Sequence, residues 1–360
     1  MRMSFGSDAG GTSLAPQTGM MDSRTSSAEW AGDGLVWSKD PPVAEWDCAL
    51  AALRGHPLQS SVWGRARALL HDVVEHRWLL RRGDEPVWMI RVEERKIGPI
   101  AKIAWAPRGP ASETAELSLA NPPGLSERLR AEGFSLLITD PWIKVNGGAA
   151  HSPDDIGGTR PRTIWLDLSL GANAIFQGFH KLMRWGVRRA ARGGVVVKAT
   201  SDAARIRDFV SLCVSISDRN GFQPRVTAAM IHALLSLSSG SENVKAAQFV
   251  SLKGNELGSG IFVMRVGRSL HQIWGGLDRD FRQDHVGEAC QWAVIEWALA
   301  QGCTRYDLEG IDPINNPSVY QFKRRLGGEE VTLHGHKHFP LSCIGRLASI
   351  GRKAVAWQQR

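Results

Sequence analysis

At 360 residues the chain is too long for one ordinary domain, so two medium-sized units with separate or shared cores are expected. Apolar residues are plentiful, and 14 Trp against 2 Tyr supply large bodies that each need a partner for one N–H, which excludes a chain disordered throughout. The formal net charge of +8 is spread along the sequence and favours anionic partners such as nucleic acid, nucleotide diphosphate or anionic lipid.

Residues 1–34 are rich in Gly, Ser, Thr and Asp and lack the charged-then-apolar order of a signal peptide, so they are expected to form a disordered tail. No run approaches the roughly 20 apolar residues of a membrane-spanning helix. Cys48, Cys213, Cys290, Cys303 and Cys343 lie far apart with no C-x-x-C pair, which argues against a disulfide framework or zinc site and for a reducing, cytoplasmic setting. A soluble protein, at most peripheral on a membrane, is the expectation.

From His56 to Arg77 the spacing of Trp63, Ala66, Leu70 and Val73 predicts a helix, with Ser60 or Ser61 as N-cap. Strands are expected at Arg77 to Arg82 and Val87 to Glu93, around the turn Gly83 to Pro86, and at Ile100 to Trp105. A helix at Ser126 to Glu132 and a strand at Ser135 to Ile138 complete a first mixed unit. The Gly-, Ser-, Pro- and Asp-rich stretch Asn146 to Arg162 reads as a linker. A second unit then runs through a strand at Thr163 to Leu168, one helix from about Ala172 to Arg192 ended by Gly193-Gly194, and a strand at Val195 to Ala199. Helices around Ile206 to Ser217 and Ala228 to Ser236 precede strands at Ala246 to Leu252, Ser259 to Val266 and Ser269 to Trp274. A helix from His285 to Gln301 leads to a strand at Arg305 to Ile311. This acyltransferase-like order is loosely echoed in the first unit, so the fold class is α/β (α+β): two copies of one fold with mixed, mostly antiparallel sheets flanked by helices. The expected boundaries are 35–155, completed by 335–360, and 156–334.

Lys181, Arg184, Arg188 and Arg192 recur at i, i+3, i+7 and i+11, a positive stripe without balancing acids that suits a polyphosphate backbone; a solvated helix face is the plainer alternative. Asp307 and Glu309 share one face of a strand by the two-residue period, as paired acid and base or as ordinary strand-end acids. In Tyr320 to Arg325 an aromatic pair adjoins three cations, and Lys323 there can stabilise the oxyanion of an acyl transfer. His334, His336 and His338 alternate and face one way if they lie on a strand, but no nearby Asp, Glu or Cys pattern supports a metal, and none is expected. No G-x-S-x-G elbow, Walker loop or helix-opening G-x-G-x-x-G exists.

From about Val43 to Phe339 the chain resembles the Fem family of peptidoglycan-bridge aminoacyltransferases, which pair two acetyltransferase-type (GNAT) domains. The segments that carry the likeness are His56 to Trp63 (HPLQSSVW) with Arg67, Pro107 to Pro110 (PRGP), the Lys181 to Gly194 helix, and Tyr306 to Gly328 (YDLEGIDPINNPSVYQFKRRLGG). The resemblance implies transfer of an aminoacyl group from aminoacyl-tRNA to an amine of a UDP- or lipid-linked muropeptide. It also implies an acceptor-side first domain, a donor-side second domain, a monomer without cofactor, and a place in the cytoplasm or at the inner face of the membrane. Arg67 and Arg225 would then grip the precursor's pyrophosphate, with Gln59, Trp63 and Arg108 also on the acceptor side. Lys323 would steady the acyl-transfer intermediate, supported by Phe322, with Asp307 in the same catalytic group. Lys181, Arg184, Arg188, Arg192 and Arg324 would meet the tRNA donor. After the Arg225 motif, Met230 and Ile231 stand where the family often has an aromatic residue, and Ser236 to Lys245 is too short for the helical arm of some members.

Two alternatives remain at this level. A CoA-dependent GNAT N-acyltransferase would act on another amine, such as an amino sugar or envelope polysaccharide; its pyrophosphate turn would fall at Asp284 to Ala289, where Asp284 and Glu288 repel phosphate. A non-catalytic binder of nucleic acid or anionic membrane would use the basic, apolar tail Leu341 to Arg360, otherwise a helix packed on the first domain.

Overall fold

The computed structural model describes residues 34–145, 161–220 and 226–355. The tail, almost all of the linker and Arg225 therefore lie outside the described residues.

The first half begins with two elements that the sequence pattern had not suggested, strand β1 (Leu35–Lys39) and helix α1 (Val43–Ala52). Helix α2 is Ser61–His71, shorter than the expected span: Ser60 Oγ accepts the Trp63 N–H at 3.1 Å and starts it, and Asp72 in a left-handed conformation ends it. There follow β2 (Glu75–Arg82), β3 (Glu85–Ile97), β4 (Ala101–Ala106), β5 (Ala111–Ser112), α3 (Ala115–Leu119), α4 (Leu125–Ala131) and β6 (Leu136–Thr139).

After the linker come β7 (Arg162–Asp167), α5 (Gly171–Gly178), α6 (Lys181–Arg192), β8 (Val195–Ala199), α7 (Ala203–Asn220) and α8 (Ala228–Ser239). The single helix expected up to Arg192 is thus two. Phe179 is extended, and the His180 side chain accepts the Leu182 N–H at 3.3 Å, so a new helix is capped where the old one stops. The chain continues through β9 (Val244–Lys253), β10 (Glu256–Val266), β11 (Ser269–Leu277), α9 (Val286–Ala300), β12 (Arg305–Asp307), α10 (Pro317–Arg324) and β13 (Glu329–Thr332). It then returns to the first half as β14 (Lys337–Pro340) and α11 (Cys343–Val355).

Among the described residues two seven-stranded sheets result, ordered β1-β2-β3-β4-β6-β14, with β5 on β3, and β13-β7-β12-β11-β10-β9-β8. Each is antiparallel except for one pair, β4 with β6 and β11 with β12. Parallel neighbours need a crossover, and α3 with α4 and then α9 supply it in the two halves. The fold is mixed α/β with two mostly antiparallel sheets, as the sequence pattern predicts.

The two sheets share apolar packing. Trp46, Val62, Leu79 and Met89 of the first half belong to one buried cluster with Phe209, Met230, Phe262 and Met264 of the second. A further cluster, including Ile164, Phe179, Val294 and Tyr306, lies wholly in the second half. At the middle of the second sheet, β12 pairs with β11 only as far as Asp307 opposite His271, while β11 runs on to Leu277. The two strands part at that point, and the charged residues gather there.

Candidate functional site

Asp307 is completely buried and accepts from four donors. Its Oδ1 takes the Thr163 hydroxyl and, at 2.8 Å, the Glu309 N–H; its Oδ2 takes the indole N–H of Trp142 at 2.6 Å and of Trp165 at 2.7 Å. Trp142 belongs to the segment that follows β6, so this one carboxylate ties both halves together. Burial and the adjacent Glu309 charge push Asp307 above the usual carboxylate range, against the pull of His271 and these donors. A group so fully engaged positions its neighbours rather than exchanging protons with a ligand.

Glu309 was expected on the same strand face as Asp307. Instead the strand has ended, and Glu309 adopts a left-handed φ of 57°. The two carboxyls converge because a turn closes on Asp307, not because strand side chains alternate. Glu309 Oε1 lies 2.7 Å from His56 Nε2 and 3.0 Å from His271 Nδ1. Although burial pushes it up, these two rings hold Glu309 below the usual carboxylate range. Burial pulls His56 down to about 4, so it is neutral at physiological pH. Its tautomer follows from geometry: Nδ1 accepts the Leu58 N–H at 3.1 Å, so the proton sits on Nε2 and points at Glu309.

His56, His271 and Glu309 bring three potential metal-ligand atoms within 4.8 Å of one another. A ligating imidazole nitrogen must carry a lone pair, and His56 Nε2 carries a proton in this arrangement. The cluster therefore serves as a hydrogen-bonded pin between the halves. His334, His336 and His338 do not converge. His336 meets Asp140 at 3.3 Å and His338 meets Ser349 at 2.7 Å, on different neighbours.

Lys323, near the end of α10, is buried, and its ammonium donates to the Glu309 carbonyl at 3.1 Å and the Gly310 carbonyl at 2.9 Å. Burial draws its pKa down to about 8, while the Glu309 and Asp307 charges oppose the shift. An ammonium has three N–H donors, and two are held by these carbonyls. The third has no acceptor among the described residues. Next to it, Phe322 packs against the second core and against Gly287 in the first turn of α9.

The remaining predicted residues fall into separate groups. Arg108 pairs with Asp140 at 2.7 Å and lies 4.0 Å over the Trp142 ring, which places it one residue from Asp307. Trp63 packs on Trp274 of β11, ring centroids 5.9 Å apart, so α2 abuts the continuing part of that strand. Arg67, one turn further along α2, is 3.5 Å from Glu93. Gln59 is fully buried and bonded through its amide to Arg91 and Pro107 backbone, which makes it a support for the His56 turn. Arg91 is completely buried too and donates to the Leu58 carbonyl, Glu75 and Glu93, joining Arg67 to that same turn. Arg324 points away, towards Glu330 at 3.8 Å.

On α6, Met183, Gly186 and Ala190 face inward and pack on α9, leaving Lys181, Arg188, Arg189 and Arg192 exposed. Arg184 is engaged by the carbonyls of Gln177 and Phe179, and Arg188 lies over Phe176 at 5.2 Å. Trp185 is half exposed and meets the His285 ring. Around the first turn of α9 stand Asp284, paired with Lys253 at 3.1 Å, and Glu288. A cleft of about 350 Å³ between β7, α5 and residues 326–329 is lined by none of Asp307, Glu309 and Lys323.

No local pattern in the sequence marks His271, Trp142, Trp165, Thr163, Arg91 or Asp140 as part of a site. A clue existed for two of them, since so many tryptophans must find acceptors for their N–H groups.

Known proteins share this architecture. Residues 179–324 match the acetyltransferase (GNAT) domain, so this segment is of the acyltransferase type. No curated protein matches the chain. Among solved structures, FemX is similar over 88% of this chain and 100% of its own, with a TM-score of 0.73 at 16% identity. A tandem GNAT protein from the clavulanic acid biosynthesis pathway is similar over 86% of this chain and 99% of its own, with a TM-score of 0.50 at 14% identity. L-PGS from Bacillus licheniformis is similar over 91% and 99%, with a TM-score of 0.50 at 11% identity. At such identities the likeness is one of fold, and the chain has the fold of FemX.

Proposed function

We propose that the protein transfers an aminoacyl group from aminoacyl-tRNA to an amine of a UDP- or lipid-linked peptidoglycan precursor. The observation that carries this reading is Lys323: a buried ammonium anchored on the Glu309 and Gly310 carbonyls where β11 and β12 part, with one donor direction left over. The acceptor amine attacks the carbonyl carbon of the ester, a tetrahedral oxyanion forms, and the Lys323 N–H stabilises it. Collapse expels the ribose oxygen, which takes up the proton lost by the amine. An activated ester needs no protein nucleophile, so positioning and charge stabilisation provide the rate.

An RNA-linked donor is supported by charge. The exposed cations of α6 and the half-exposed Trp185 suit a phosphate backbone with a base stacked beside it. Asp284 and Glu288 at the start of α9 are adverse to the pyrophosphate of CoA. On the acceptor side Arg67 and Arg108 supply guanidinium groups suited to phosphate, and Arg225 is assigned there from the sequence resemblance alone.

The test is to incubate the purified protein with charged tRNA or with acyl-CoA and a UDP-linked muropeptide, and to follow the muropeptide by mass. Addition of one aminoacyl residue from charged tRNA is expected. Transfer from CoA alone would overturn the donor assignment, and transfer to amino sugars but not muropeptides would overturn the acceptor assignment.

A further inference from the structure

Helix α11 lies on the first sheet with its small residues inward. Gly345 sits against the Ser135 carbonyl so closely that any Cβ would collide with it. Ala348 packs on the cluster of Ile103, Leu136 and Ile138, and Ser349 Oγ bonds His338 Nδ1 at 2.7 Å. The large apolar residues face the other way: Ile344, Leu347 and Ile350 are 43%, 71% and 66% exposed. Spaced three apart, they form one stripe along the outer side of the helix. A surface helix ordinarily buries such a stripe and turns its polar side to water. Charge adds a second oddity. Beyond Glu330 the sequence contains no Asp or Glu, while Lys337, Arg346, Arg352, Lys353 and Arg360 contribute five cations, and Arg346 is exposed beside the stripe.

We propose that α11 docks the protein on an anionic phospholipid surface, with Ile344, Leu347 and Ile350 entering the acyl boundary and Arg346 meeting lipid phosphates. A second copy of the chain fits less well. A two-fold contact sets the same patch against itself, so cations would face cations with no acid on the tail to balance them. A lipid leaflet matches the apolar stripe and the charge together. The surface is independent of which donor or acceptor the enzyme uses, and it would hold the catalytic halves at the bilayer face.

Co-sedimentation of the full chain with phosphatidylcholine vesicles, with and without phosphatidylglycerol, tests the proposal. Binding is expected only to the phosphatidylglycerol vesicles and should weaken as sodium chloride is raised. The double variant Leu347→Ser, Ile350→Ser should bind at least about tenfold more weakly, and Arg346→Glu should also weaken binding, with far-UV circular dichroism unchanged because these side chains are exposed. Failure of the wild-type chain to bind, or binding indifferent to both variants, would overturn the proposal. So would sedimentation of the wild type as a dimer that the double variant dissociates, since a second copy would then be the occupant.

Discussion

Lys323 donates to two backbone carbonyls, and what is left of its ammonium is one N–H and a depressed pKa. Removing it by Lys323→Ala should lower kcat by about 10²- to 10³-fold, the usual loss of one oxyanion donor, with much smaller changes in substrate binding. A single-turnover transfer assay beside equilibrium binding separates the two. In the proposed mechanism the charged form is the active one, and with its pKa drawn down to about 8 the wild-type rate should fall as pH rises through that value. His56 makes the opposite kind of statement. Its folded pKa of about 4 lies below the ordinary 6.5, so the unfolded chain binds the extra proton between those values. The stability it contributes is complete above pH 6.5 and is lost as pH falls towards 4, by up to about 3 kcal/mol at about 1.4 kcal/mol per unit. Urea midpoints measured across that window should drop for the wild type and drop less for His56→Gln.

At the level of elements, the basic helix α6 is placed by its small residues. A Cβ on Gly186 would come within 3.0 Å of Glu288 Cγ and 3.1 Å of His285 Nδ1, so any side chain there requires these two to give way where the helix meets the start of α9. Gly186→Val should therefore destabilise the protein by about 1–3 kcal/mol, the typical cost of overpacking, readable as a shift in urea midpoint without a change in slope. The cationic stripe was legible in the sequence as a period, and its exposure at Lys181, Arg188 and Arg192 bears out the helical spacing. Its break from α5 was not, because His180 caps a helix through a side-chain contact that no apolar period records. The short β12 has the same lesson. Asp307 and Glu309 looked like alternating strand residues, and only the four donors around Asp307 show why the chain turns instead.

Across the molecule the two sheets are bound by a common apolar cluster and by Asp307, His56 and Glu309 at their junction. Unfolding of residues 34–355 should then be one transition, with tryptophan fluorescence and far-UV circular dichroism coinciding. Phe262, fully buried in the shared cluster beside Trp274, is the sharpest probe: Phe262→Ala should cost about 3–5 kcal/mol and lower both signals together. Two separated transitions would show that the halves fold independently.

The sequence alone determined most of the strands and helices between α2 and β12, the mixed sheets and the cationic helix, because each is written in local periods, caps and charges. Tertiary structure decided the rest. His271, Trp142 and Trp165 reach Asp307 and Glu309 from distant elements, and nothing in their own neighbourhoods marks them. It likewise decided which side of α11 faces outward, since a stripe of Ile and Leu reads the same whether a protein core or another apolar phase covers it. Partner identity for a buried polar group or an apolar face is a property of three-dimensional neighbours, and sequence spacing carries no record of it.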